Sequence, residues 1–129
     1  MNRGHFLHRI GRLLPCLLFA AACQTAAAHH SPVAFDTGVT DFSLNGEIIS
    51  VDVRNPHSAM ILRVTNNDGS TTDWDIEFSS INLLLRRGWD FDQLQVGEQV
   101  KCTGNPSSRG LPEMYMWSII LADGTEFGQ

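Results

Sequence analysis

GEIISVDVRNPHSAMILRV, residues 46–64, reads as two β-strands meeting at a corner. Ile48, Ser50, Asp52 and Arg54 alternate with Ile49, Val51 and Val53, a period of two that gives a strand one apolar face. Met60, Leu62 and Val64 then alternate with Ile61 and Arg63. Between the runs stands Asn55-Pro56-His57. Proline has no N–H to lend to a ladder and pushes the residue before it away from helical angles. The corner is therefore expected to break the sheet and to hold His57 at a strand edge, where loops carry function.

Upstream, the first strand extends back to residue 39, and Gly46 inside it marks a bulge or sharp bend. Downstream, the second strand covers 58–64, and Asn66-Asn67-Asp68-Gly69-Ser70 supplies a hairpin turn. The third strand, 71–78, alternates Trp74, Ile76 and Phe78 with Asp73, Asp75 and Glu77. Then the period changes. Ser79 or Ser80 can cap a short helix whose apolar side is Ile81, Leu84 and Leu85. Arg86 and Arg87 suit its last turn, and Gly88 stops it. Trp89, Phe91 and Leu94 follow in an irregular packed connection. Gly97 turns into a fourth strand at 99–103, and 104–113 is a loop set by glycines and prolines. The fifth strand, 114–121, presents Tyr115, Trp117, Ile119 and Leu121 as its apolar face, so Trp117 and Trp74 are expected in the core and Trp89 buried nearby.

A long bent strand, two more strands, a helix, then two strands is the element order of a five-stranded OB-fold barrel: all-β with one short helix. The expected domain is 39–125, preceded by an extended arm at 29–38 and followed by a tail at 126–129. Residues 1–28 read as a signal peptide. Arg3, Arg9 and Arg12 precede an apolar run, and Ala26-Ala27-Ala28 is a small-residue cleavage site. The run falls short of the roughly 20 residues of a membrane-spanning helix. Cleavage after Ala28 is preferred to lipidation at Cys23, because Ala20 is a poor lead residue for a lipoprotein box. The expected location is periplasmic or secreted.

Without residues 1–28, six Lys and Arg face fourteen Asp and Glu, a net charge of −8 with His neutral. Such a domain repels phosphate backbones, which argues against a nucleic-acid partner. Cys102 is left without a partner for an internal disulfide, and its reading is a buried small hydrophobe. No P-loop, nucleophile elbow or dinucleotide glycine pattern is present, so no catalytic residue is assigned and the chain is not read as an enzyme.

His-His-Ser at 29–31, Asn55-Pro56-His57, Trp74 with Glu77, and Asn82 to Trp89 together resemble a domain-of-unknown-function family of small secreted bacterial proteins. Gly97, Gly104-Asn105-Pro106 and Leu121-Ala122-Asp123-Gly124 fit the same pattern. Ile81 departs from it, standing where that family is expected to place a proline. The resemblance implies export and a shared fold, and no reaction.

The candidate ligands are soft. A terminal His29 offers its α-amine and ring nitrogen as a chelate, with His30 beside it, and imidazole suits copper and zinc. On strand 5, Met114 and Met116 fall opposite the expected apolar face, and thioethers select Cu(I). The loops after strand 1 and before strand 5 flank one face of an OB barrel, which would bring His57 toward this pair. The layout resembles the small OB barrels that chaperone copper and silver in periplasmic efflux, although their methionines lie on a different strand. The expected function is thus a small exported binding module for a small ligand, a metal such as copper, or an envelope protein. Its metal candidates are His29, His30, His57, Met114 and Met116. The alternative is a structural or stress-related envelope protein with a protein partner and no metal. The acidic row Asp73, Asp75, Glu77 could coordinate a hard cation, but nothing in it resembles a calcium loop and an acidic solvent face explains it as well.

Overall fold

The computed structural model describes residues 34–129. The expected signal peptide, Cys23, His29 and His30 lie outside the described residues. Among the described residues, six strands and one α-helix follow in order: β1 (Phe42–Asp52), β2 (Ser58–Thr65), β3 (Thr71–Phe78), α1 (Ile81–Arg86), β4 (Gln99–Pro106), β5 (Glu113–Ile120) and β6 (Glu126–Gly128). The sheet order is β3-β2-β1-β4-β5-β6, and a further pairing of β3 with β5 closes the first five strands into a barrel. The closing pair is parallel, Asp75 to Glu113 through Glu77 to Tyr115, and all the others are antiparallel. Five strands closed in this order, with the helix between β3 and β4, make the OB-fold.

Closure depends on β1 serving two partners. Residues 42–47 pair with β4 and 47–52 with β2, so Glu47 faces both Gln99 and Arg63. The irregularity in this strand is not at Gly46. The register with β2 shifts between Ile48 and Ser50, making Ile49 the bulged residue. Gly46 is required for another reason: a Cβ there would lie 2.5 Å from the Arg63 carbonyl oxygen and 2.9 Å from Leu62 Cγ. The bulge also corrects the expected apolar face. Leu44 and Ile48 enter the core ahead of it, while Val51 packs against the core only after the extra residue.

A second bulge governs β5. Thr103 pairs with Ser118 and Gly104 with Met116, so Trp117 is the extra residue. One added residue exchanges the two faces of a strand. Met114 and Met116 are consequently fully buried beside Ile76, with Ile119 and Leu121 continuing the core beyond the bulge. Tyr115 is half-buried on the outer face, and Trp117 is 44% exposed. The expected core role of Trp117 is therefore overturned, and so is the outward placement of the two methionines.

α1 is bounded as its residues dictate. The Ser80 side chain accepts from the Leu83 N–H, and Gly88 takes a φ of 81°. The N–H groups of Trp89 and Gly88 donate to the carbonyls of Leu84 and Leu85, which are the two bonds of a Schellman cap. Leu84 is the buried contact of the helix, and Leu85 is 55% exposed, contrary to expectation. Trp89 then enters an aromatic cluster. Its ring stacks on Phe78 and Phe127 at centroid distances of 5.9 and 5.2 Å. Its Nε1–H donates to the Gly128 carbonyl at 2.9 Å. Residues 126–129, expected as a tail, thus contain β6 paired to β5. Cys102 is fully buried, and burial pushes its thiol up to about 12, consistent with an apolar packing role.

Candidate functional site

The corner between β1 and β2 is held from both sides. Ser58, fully buried, accepts the Arg54 N–H at 3.2 Å and donates to the Arg54 carbonyl at 3.3 Å, tying off the intervening residues. The Ser58 N–H donates to the Ser79 carbonyl, and the Ile81 N–H donates to the Arg54 carbonyl. The start of α1 is thereby docked onto the corner. The Asn55–Pro56 peptide bond within it is cis.

His57 leaves this corner toward β3. Its Nδ1 lies 2.5 Å from Glu77 Oε1, with the imidazole 42% exposed and the carboxylate side chain 15% exposed. A proton on Nδ1 would face this carboxylate oxygen, and a neutral ring protonated there keeps its lone pair on Nε2. This is the same arrangement by which a carboxylate fixes the tautomer and direction of a ligating histidine.

Glu77 points outward between Ile76 and Phe78, both fully buried. In the closing ladder it is paired with Tyr115. The Tyr115 hydroxyl lies 3.2 Å from Ser79 Oγ, and the ring sits against Phe35 at 5.8 Å and edge-on to Trp117 at 5.2 Å. The Trp117 Nε1–H donates to Asn105 Oδ1 at 2.8 Å, and the Asn105 amide donates in turn to the Val39 carbonyl. The expected arm is partly docked: Phe35 bridges Ser107, and the Asp36 N–H donates to the Pro106 carbonyl.

Of the sequence-derived metal set, the described members His57, Met114 and Met116 are not brought together. His57 meets Glu77 outside the barrel wall, while Met114 and Met116 lie inside it, so the thioethers cannot reach the imidazole. Among the described residues, no group of three His, Cys, Asp or Glu side chains is gathered for a metal ion. The acidic row is drawn into pairs instead: Asp73 accepts two bonds from Arg63 at 2.7 Å, and Glu77 holds His57. Glu77, Tyr115, Ser58 and Asn105 were missed as site residues. Their roles come from cross-strand register and from a bulge, which local periodicity does not show.

A family model described as Family of unknown function (DUF6152) matches residues 17–113. The chain belongs to this family. Among curated proteins, none matches this DUF6152 chain. It is similar to one solved structure, the dimeric N-terminal domain of PriB protein from Thermoanaerobacter tencongensis, at 18% identity. That likeness covers 64% of this chain and 96% of the other, with a TM-score of 0.46. Among the described residues of the DUF6152 chain, no helix is long and apolar enough to cross a membrane.

Proposed function

We propose that this chain is a small exported, non-enzymatic binding module whose ligand is met at the corner between β1 and β2. The observation that carries the reading is the His57–Glu77 pair. An imidazole oriented by a carboxylate, on a corner pinned by Ser58 and by the start of α1, is more ordered than a solvent-facing histidine needs to be. The loop it stands on is one of the two that flank the ligand face of OB barrels. An oriented Nε2 suits a borderline metal ion or a hydrogen-bond donor of a small polar ligand. For copper, His57 supplies a single protein ligand at this place, and the thioether set is not carried forward.

The test is an NMR titration of the full chain with Cu(II), Zn(II) and a panel of small polar metabolites. A ligand of this site shifts the amides of residues 54–58 and 77–79. His57→Ala should weaken it about tenfold, the loss of the Nε2 contact, with the fold retained. Glu77→Gln should weaken it less. If no probe shifts those amides, or if His57→Ala binds as the parent does, the reading is wrong.

A further inference from the structure

We infer that the outer face around Trp117 is a carbohydrate site, in which a pyranose ring stacks on the indole and its hydroxyls bond to a row of side-chain hydroxyls beside it. The inference is independent of His57.

Trp117 is exposed because it is the bulged residue of β5, and its direction is fixed by the fold. The Nε1–H, the only polar atom of the ring, is taken up at 2.8 Å by Asn105, itself 2% exposed and anchored to the Val39 carbonyl. Tyr115 supports the indole edge-on at 5.2 Å. A buried amide has thus been committed to orienting a surface ring. What that ring offers to solvent is an apolar face with no free donor. Trp is the aromatic with the largest such face.

The surroundings are polar in a particular way. A bulge sends its two residues to the same side, so Ser118 stands outward with Trp117, while Met116 and Ile119 on either side of them are buried. Ser118 pairs with Thr103, and Thr103 pairs with Ser43. Their inward neighbours Leu44, Cys102 and Ile119 are all buried, which places the three hydroxyl residues in one outward row. Ser43 Oγ and Thr103 Oγ1 are 3.1 Å apart. One apolar plate beside a line of hydroxyls that can each donate or accept matches the two-sided chemistry of a sugar: apolar C–H faces and a rim of hydroxyls.

Other occupants fit less well. Six Lys and Arg against fourteen Asp and Glu outside residues 1–28 disfavour a nucleic-acid strand or an anionic lipid surface, although either would also use an aromatic plate. A stable protein contact wants a core depleted in polar groups, and the hydroxyl row supplies the opposite. OB barrels are an architecture that takes up oligosaccharides.

The experiment titrates the full chain with neutral cello-, malto- and chito-oligosaccharides, read by tryptophan fluorescence and by amide shifts. Trp89 is buried in the aromatic cluster and Trp74 is half-buried against the core, so a sugar-dependent emission change that disappears in Trp117→Ala belongs to Trp117. Binding of at least one oligosaccharide should shift the amides of residues 43, 103 and 117–118. Trp117→Ala should abolish it or weaken it at least about tenfold, and Trp117→Phe should keep most of it. Thr103→Val provides a second variant, removing a hydroxyl with little change of shape, and should weaken binding about threefold. Trp117→Ala leaves the buried Asn105 Oδ1 without its donor and should melt lower than the parent, so binding is compared at a temperature where both are fully folded. Absence of binding to all three series, or equal affinity in Trp117→Ala and the parent, overturns the inference. His57→Ala separates it from the reading above, because this variant should leave sugar binding intact.

Discussion

The Arg63–Asp73 pair shows how cross-strand register assigns individual side chains. The two residues are partners in the β2–β3 ladder, and the guanidinium donates from Nε and Nη2 to the two carboxylate oxygens at 2.7 Å each. This bidentate bond holds the Asp73 carboxyl below its usual range. A carboxyl lowered in the folded state stabilises the fold above its ordinary pKa. That contribution is lost as pH falls through the lowered value. The pair is exposed, so the effect on stability is small. The titration itself is the sensitive measurement. Following Asp73 by carbon NMR, Arg63→Ala should return the midpoint upward to the ordinary carboxylate range; an unmoved midpoint would show that Arg63 is not the cause. The alternation Asp73, Asp75, Glu77 was legible in the sequence. That two of these carboxylates are paired was not, because their partners lie on β2 and at the corner before it.

At the scale of the element, periodicity served wherever a strand was regular. β2, the 66–70 turn, β3 and the caps of α1 at Ser80 and Gly88 are where the residues place them. It failed at β1 and β5 for a single reason. Each contains one residue more than its partner, and nothing local to Ile49 or Trp117 announces it. The signal sits across the ladder. Gly104 is the position opposite the β5 bulge where a Cβ would run into the Tyr115 carbonyl oxygen. Gly46 lies in the bulged strand itself and makes a similar close approach, to the Arg63 carbonyl oxygen. Neither glycine has a positive φ, so neither is kept for backbone freedom. Gly46→Ala should therefore destabilise by overpacking, by about 1–3 kcal/mol, as read from denaturant midpoints at unchanged m-value. A variant as stable as the parent would show that the close approach relaxes without cost. The grouping of His57 with Met114 and Met116 fell with the β5 bulge, since both methionines were assigned to the wrong side of that strand.

For the whole molecule, the fold class was legible because element order survives a local error of one residue: the helix between β3 and β4 and the long β1 are enough. The chain's last strand was not legible, being three residues long and stabilised by a remote ring. Trp89 joins α1, β3 and β6 through two stacks and the bond to the Gly128 carbonyl. Trp89→Ala should cost about 3–5 kcal/mol. Hydrogen exchange should show the β6 amides losing protection first, at denaturant concentrations where β1 and β2 remain protected. Simultaneous loss everywhere would mean that β6 is no separate unit.

The double service of β1 also has a consequence in time. A chain threaded out from its N-terminal end can form the β1–β2–β3 meander from neighbouring segments. Its Phe42–Glu47 edge must then wait for Gln99 and the residues after it. Until they arrive, that edge is a row of unanswered amides and carbonyls, which is a template for pairing with another copy. Folding of this barrel is thus most exposed to self-association in the interval between the emergence of β3 and that of β4. A holding factor that covers β1 would act in that interval rather than on the finished domain.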